Sequence, residues 1–150
     1  MISRREMLVL SAGTAAALAI GATPFPAFAS AGEAEAAIAE FTGGSEPREG
    51  RITLSAPEVA ENGNAVSISV SVDSAMAGDD LVEAVLVVAD GNPRPDVAVF
   101  HFSALSGTAS ATTRIRLAQS QTVTAVARMA DGSFHVDRAE ISVTVGGCTG

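Results

Sequence analysis

The side chain best suited to covalent chemistry is a single thiol two residues from the end of the chain. Cys148 is the only cysteine in the sequence, and its neighbours are the small residues Gly146, Gly147, Thr149 and Gly150. Because glycine lacks a Cβ and reaches many backbone angles, this pattern predicts a flexible arm over residues 146–150. Fully extended at roughly 3.3–3.6 Å per residue, the arm spans about 17 Å, long enough to bring the thiol into a narrow pocket on another protein.

Cys148 has no activating neighbour in the sequence. No arginine, histidine or predicted helix start lies close enough along the chain to favour its thiolate form. A lone cysteine also lacks the second thiol that an internal disulfide or a Cys-x-x-Cys redox pair requires. The sequence therefore disfavours a thiol redox protein and indicates a thiol on which other proteins act.

The remaining polar residues show no catalytic or metal-binding pattern. His101 and His135 lie far apart without a cysteine at ligand spacing, and we expect both at the protein surface or at an interface. The pair Asp79-Asp80 and the turn Asp131-Gly132 lack the ligand spacing of a calcium loop, and no Gly-x-Ser-x-Gly elbow is present. We therefore predict no catalytic residue, no metal and no cofactor.

Composition limits the partners and the core. The 150 residues include nine arginines, no lysine and 17 acidic residues, for a net charge of −8. Without a basic face to neutralise phosphates, nucleic acid and anionic membranes are disfavoured as partners. Hydrophobic residues make up 47% of the chain, yet there are six Phe and no Trp or Tyr, which predicts an aliphatic core.

The first 29 residues have the pattern of an export signal. Arg4 and Arg5 precede a weakly apolar run over residues 7–20, and the small-residue triplet Ala27-Phe28-Ala29 follows it. This arrangement resembles a twin-arginine signal peptide, 1–29, and predicts a periplasmic protein. The run is shorter than the roughly twenty residues of a spanning helix, so an uncleaved membrane anchor is the less favoured alternative.

The chain after the signal reads as one all-β domain over residues 30–145. Residues 33–41 predict a short N-terminal helix, which the pair Gly43-Gly44 ends. Alternating apolar and polar residues bounded by turn residues predict about seven strands, at 51–55, 66–72, 81–89, 97–103, 109–117, 122–129 and 134–145. Seven strands at this spacing indicate an immunoglobulin-like β-sandwich.

Several short segments give the sequence a family resemblance. They are Phe41-Thr42-Gly43-Gly44, residues 58–63, residues 91–98, Phe100-His101-Phe102, residues 115–118 with 120–122, Asp131-Gly132-Ser133 and the terminal Gly-Gly-Cys. With these segments the chain resembles the SoxY family, the sulfur-carrier subunit of the periplasmic sulfur-oxidation (Sox) system. The resemblance covers nearly all of the chain after the signal.

The resemblance implies a function for the terminal thiol. Cys148 would hold thiosulfate-derived intermediates covalently, as the arm residues Gly146, Gly147, Thr149 and Gly150 present them to separate enzymes, and the carrier itself would catalyse nothing. It also implies a heterodimer with SoxZ, which lacks an export signal and would cross the membrane bound to this chain. Transient partners would be SoxAX, SoxB and the sulfane dehydrogenase SoxCD. Thr149 departs from the usual Gly-Gly-Cys-Gly-Gly tail and stiffens one joint beside the sulfur.

Two other interpretations remain open. The chain could be an immunoglobulin-like protein-binding module, or a divergent paralogue, with an incidental Cys148. Both predict that replacing Cys148 leaves function unchanged, whereas a carrier would lose its function.

Overall fold

The computed structural model describes residues 31–147, and within them one α-helix and nine β-strands form the regular structure. The helix α1 is Ala31–Thr42. The strands are β1 Arg48–Glu49, β2 Ile52–Ser55, β3 Val59–Asn62, β4 Val66–Val72, β5 Val82–Ala89, β6 Asp96–His101, β7 Ala109–Ile115, β8 Gln121–Met129 and β9 Phe134–Val145. Two short 3-10 turns, Gly78–Asp80 and Ala104–Ser106, complete these elements.

The strands form two sheets that face each other. The larger sheet has the order β1-β9-β8-β5-β6, with β3 also paired to β9, and the smaller sheet has the order β2-β4-β7. An immunoglobulin-like sandwich, as expected from the sequence, fits this arrangement. A side-chain contact joins the sheets at one side, where Asp137 of β9 accepts a hydrogen bond of 2.8 Å from the backbone N–H of Leu54 in β2.

The longest strand, β9, is held along both of its edges. On one edge it pairs antiparallel with β8 over most of its length. On the other edge its beginning pairs parallel with β1, where Arg48 faces His135, and its end pairs parallel with β3, where Asn62 faces Val145. The strand that leads to the C-terminal arm is therefore fixed up to its last residue.

Aliphatic side chains build the core, as the composition predicts. In β4 the apolar residues are buried and the serines between them are exposed or half-buried, the pattern of a strand with one buried face. Strands β5 and β8 are buried on both faces, because the smaller sheet covers one side and α1 the other. On the α1 side Phe41 packs edge to face against Phe134, with ring centroids 6.2 Å apart.

The seven predicted strands and the helix are confirmed, with ends shifted by a few residues at most. Two additional strands, β1 and β3, were not predicted. Each is two to four residues long and lacks an alternating pattern, and the residues at the end of β3 read as a turn. Both form because β9 offers them an edge. No helix among residues 31–147 is long and apolar enough to cross a membrane.

His135 corrects an expectation from the sequence. The sequence places both histidines at the surface or at an interface; His101 is exposed, but His135 is 8% exposed and buried within this chain in β9. Its Nδ1 atom has no hydrogen-bond partner among the described residues. Burial, together with the nearby positive charge of Arg51, lowers the pKa of His135 below its usual value. Both effects favour the neutral form of the imidazole in the folded protein.

This burial predicts a pH dependence of stability. Because the pKa of His135 is lower in the folded chain than in the unfolded chain, its contribution is complete above about pH 6.5 and is lost as the pH falls through the folded value. Urea unfolding between pH 5 and 8 should show a steeper loss for the wild type than for His135→Gln. His101→Gln, at an exposed position, should follow the wild type, and parallel curves for all three proteins would contradict the prediction.

Candidate functional site: the root of the C-terminal arm

Only part of the predicted arm lies within the described residues. Gly146 and Gly147 follow β9 and are described. Cys148, Thr149 and Gly150 lie outside the described residues, as do Arg4, Arg5 and the predicted signal peptide 1–29. The described part of the site consists of the residues that position the backbone just before Cys148.

Three backbone hydrogen bonds fix the chain at Gly147. Gly147 N–H donates to the carbonyl of Leu117, Leu117 N–H donates to the carbonyl of Gly63, and Gly63 N–H donates to the carbonyl of Val145, each at 2.8 Å. Because Val145 and Gly147 belong to the same segment, these bonds close a ring through three distant parts of the chain. We call this ring of Gly63, Leu117, Val145 and Gly147 the backbone clamp.

The glycines of the clamp are needed for close approach. A Cβ on Gly147 would lie 2.7 Å from the carbonyl oxygen of Gly63, and one on Gly146 would overlap the carbonyl oxygen of Ala118. A Cβ on the buried Gly63 would overlap the carbonyl oxygen of Leu117 and lie 2.7 Å from the nitrogen of Gly147. The sequence predicts that Gly146 and Gly147 give the arm conformational freedom. The structure gives them a different use, because the lack of a Cβ at each lets three backbones meet, and Gly147 is held by a hydrogen bond.

A buried side-chain network fixes the loop that carries Leu117. The Asn92 side chain brackets this residue, since its Nδ2 donates to the carbonyl of Arg116 at 2.8 Å and its Oδ1 accepts from Ala118 N–H at 3.0 Å. The same Oδ1 accepts from Gln121 Nε2 at 3.0 Å. Asn92 is 5% exposed and Gln121 8% exposed. Because buried amides are costly to leave unpaired, this network specifies one loop conformation.

The loop is also attached directly to β9. Val143 N–H donates to the Oγ atom of Ser120 at 2.8 Å. Gln121 Oε1 accepts from Gly91 N–H at 2.8 Å, which connects the network to the turn before β6. The end of β9, the loop 116–120 and the turn 90–92 thus form one hydrogen-bonded unit around the arm root.

Segments that carry the family resemblance meet at this clamp. Gly63 ends the first segment, 58–63, and Asn92 belongs to the second, 91–98. Leu117 and Gln121 belong to the third, 115–118 with 120–122, and Gly147 belongs to the fourth, the terminal Gly-Gly-Cys. The segments around Phe41, Phe100 and Asp131 lie elsewhere, on α1, on β6 and in the turn before β9. The four segments are visible in the sequence, but only the tertiary structure shows that they meet.

The charged groups with shifted pKa values lie at the opposite end of β9. A hydrogen bond from the backbone of Ala75 and the ion pair with Arg51 lower the pKa of Asp80. Hydrogen bonds from the Ser133 side chain and backbone lower the pKa of Asp131. No group of three or more His, Cys, Asp or Glu side chains within residues 31–147 could hold a metal ion. The clamp itself is built from neutral backbone groups, and the network that supports it is built from the neutral side-chain amides of Asn92 and Gln121.

A groove on the outer face of the larger sheet is separate from the clamp. It has a volume of about 580 Å³ and lies between α1 and the sheet, with Leu86 and Val99 among its apolar residues and Glu33, Glu40 and Asp96 among its acidic ones. None of its lining residues belongs to the clamp or its supporting network.

Fold and site together define a class of protein: an immunoglobulin-like β-sandwich whose last strand is clamped just before a terminal thiol. The sequence profile of the family described as sulfur oxidation protein SoxY matches residues 38–148. The chain therefore belongs to the SoxY family. The match ends on Cys148 and so includes the whole clamp.

Solved structures show the same fold. The structure of the sulfur carrier protein SoxY from Chlorobium limicola f thiosulfatophilum is 26% identical, with a TM-score of 0.62, and the match covers 77% of this chain and all of that one. A variant of the superoxide reductase (neelaredoxin) from Ignicoccus hospitalis matches at 18% identity and a TM-score of 0.53, over 73% of this chain and 86% of that one. The second similarity shows the fold alone. No curated protein sequence matches at a significant level.

The amide network generates a prediction about stability. Asn92→Ala would leave the Arg116 carbonyl, the Ala118 N–H and the Gln121 amide without their shared partner. The free energy of unfolding should fall by about 1–3 kcal/mol, the usual cost of unpaired buried polar groups. Urea denaturation measures this change. Arg94→Ala, at an exposed position in the same connection, should change it by less than about 0.5 kcal/mol; equal losses in both variants would contradict the prediction.

Proposed function

We propose that this protein is a non-catalytic carrier of sulfur intermediates in periplasmic thiosulfate oxidation, with the intermediates bound covalently to the thiol of Cys148. The observation that carries the proposal is the clamp at Gly147, one residue before the only cysteine. Family membership over residues 38–148 and the similarity to a SoxY described as a sulfur carrier protein support the same function.

The chemistry of a thiol carrier accounts for the need for partner enzymes. Joining the Cys148 sulfur to the outer sulfur of thiosulfate forms an S–S bond, releases the thiol proton and releases two electrons. A partner oxidase must accept those electrons. Water can then attack the terminal sulfonate sulfur, so that sulfate leaves and a persulfide stays on Cys148, and this step is assigned to a partner hydrolase. The covalent sulfur takes the place of a resident cofactor.

The proposal extends to the partners expected from the sequence. A heterodimer with SoxZ would explain the twin-arginine pattern at Arg4 and Arg5, because a signal of that type suits a folded protein with a bound partner. SoxAX, SoxB and SoxCD would then act in turn on the sulfur at Cys148. Arm length and thiol are both intact, so Thr149 should permit carriage while adding bulk beside the sulfur.

Mass spectrometry tests the carrier function. In intact protein from sulfur-fed cells, prepared without reductant, we expect reducible thiosulfonate, sulfonate or sulfane additions on the wild type and none on Cys148→Ala. Treating the wild type with dithiothreitol should remove the reducible additions. A bare thiol, or only a plain disulfide dimer, would instead favour the protein-binding module or divergent paralogue.

Cell fractionation tests the location. Replacing both Arg4 and Arg5 by lysine should retain the protein in the cytoplasm, because a twin-arginine signal depends on that pair. SoxZ should be retained with it if the two travel as a complex. Cys148→Ala provides the control, since it leaves the signal unchanged and should be exported normally; periplasmic accumulation of the double lysine variant would contradict the prediction.

A further inference from the structure

We propose that strand β6 is a docking edge for a partner protein. An extended segment of the partner, in which arginine or lysine alternates with apolar residues, adds to β6 as a further strand of the larger sheet. Such docking goes beyond the carrier function, and it occurs or fails independently of sulfur chemistry.

Strand β6 has an open edge. It lies last in the order of the larger sheet, and within residues 31–147 it pairs only with β5. Exposed edges are normally blunted by charged side chains, prolines or covering segments. In the smaller sheet, Asp137 bonds the backbone N–H of Leu54 in β2, and β7 carries the exposed Arg114. Residues 97–100 of β6 are all apolar, so among these three strands β6 is the most open to strand addition.

The register between β5 and β6 shows which backbone groups face the open edge. Phe102 N–H donates to the carbonyl of Glu83 at 2.9 Å, which makes these two residues a hydrogen-bonded pair. Because hydrogen-bonded and non-hydrogen-bonded pairs alternate along an antiparallel ladder, Val99 and His101 form non-hydrogen-bonded pairs with β5. Their N–H and C=O groups therefore point away from β5, toward the position that an added strand would take.

The outer face beside this edge is both apolar and acidic. Leu86 and Val99 line the groove between α1 and the larger sheet, and Val99 is 46% exposed. The exposed residues Glu40 and Asp96 line the same groove, and no basic residue does so among the described residues. Long basic side chains cover apolar surface with their methylene groups while their charged ends reach carboxylates. The groove therefore fits arginine or lysine, whereas the net charge of −8 disfavours a second copy of this chain.

The opposite face of β6 accounts for the apolar residues of the added strand. Phe100 pairs with Val85, which is fully buried between the two sheets. Phe100 and Phe102 pack against that core but are only half-buried. Successive side chains of a strand point to opposite faces, so a strand whose basic residues face the groove places its other residues beside the two phenylalanines. Apolar residues at those positions would complete the cover over both rings.

A peptide of defined sequence tests the docking. The probe is a short peptide, blocked at both ends, in which arginine alternates with valine. When it is added to the purified protein, amide hydrogen exchange measured by NMR should slow at Val99 and His101, because their N–H groups gain acceptors. Exchange at Ala98 and Phe100, whose N–H groups face β5, should change little. The same peptide with glutamate in place of arginine should not bind.

Substitutions with matched controls locate the site, with affinity measured by fluorescence anisotropy of the labelled peptide. Val99→Lys should weaken binding about ten-fold or more, because it places a like charge on the pairing edge. Ser110→Lys makes the same change in charge at an exposed position of β7 and should bind almost as the wild type does.

A second variant tests the groove without altering the strand. Glu40→Gln should weaken binding about two- to five-fold, the usual effect of one exposed ion pair. Glu35→Gln changes an exposed residue of α1 that does not line this groove, and it should leave the affinity unchanged. Both substitutions lie on the helix surface, so they decide the matter even if Val99→Lys fails to fold.

Four results would overturn the proposal. They are no binding at about 1 mM peptide, equal binding of the glutamate peptide, a bound peptide that leaves exchange at Val99 and His101 unchanged, and slow exchange at Val99 that appears without peptide as the protein concentration rises. The third result would indicate a helix in the groove, and the fourth would identify a second copy of this chain as the occupant. None of these measurements involves sulfur, so the carrier function can stand if the docking edge fails.

Discussion

The structure of the arm root depends on one physical constraint: three backbones approach each other so closely that only glycine fits between them. Gly63, Gly146 and Gly147 each lack a Cβ at a point where one would overlap or crowd a carbonyl or amide of a neighbouring segment. The hydrogen bonds that close the clamp are ordinary in length. They can form because these residues have no side chains. Through these bonds the end of β9 and Gly147 become part of the sandwich.

This constraint explains the arrangement of the surrounding strands. Strand β9 must be held to its last residue if the clamp is to have a fixed side, and β3 supplies that support by pairing with it in parallel. The other side is the loop after β7, held by the buried amides of Asn92 and Gln121. Buried amides are stable only when fully paired, so they select a single loop geometry. Packing of the aliphatic core stabilises the fold, whereas these polar contacts fix the position of the loop after β7 relative to the end of β9.

The fold of this protein does not by itself identify its chemistry. The same sandwich occurs in a SoxY and in a superoxide reductase, two proteins with different names and different chemistry. A shared fold therefore says little about activity, which depends on particular residues. In this chain the clamp residues lie together at one end of the sandwich, and the clamp ends one residue before the only cysteine of the sequence.

The sequence by itself determined the fold class, seven of the nine strands in the described residues and the helix α1. Each of these leaves a local signal, such as the alternation in β4 or the turn residues between strands. The tertiary structure alone decided that β1 and β3 exist, that His135 is buried, and that Gly63 and Leu117 hold Gly147. The two strands and the clamp depend on backbone groups that meet across long sequence separations, and the burial of His135 depends on tertiary packing. Apart from proline, every residue carries the same backbone N–H and C=O groups, so the local sequence does not indicate which of them will pair.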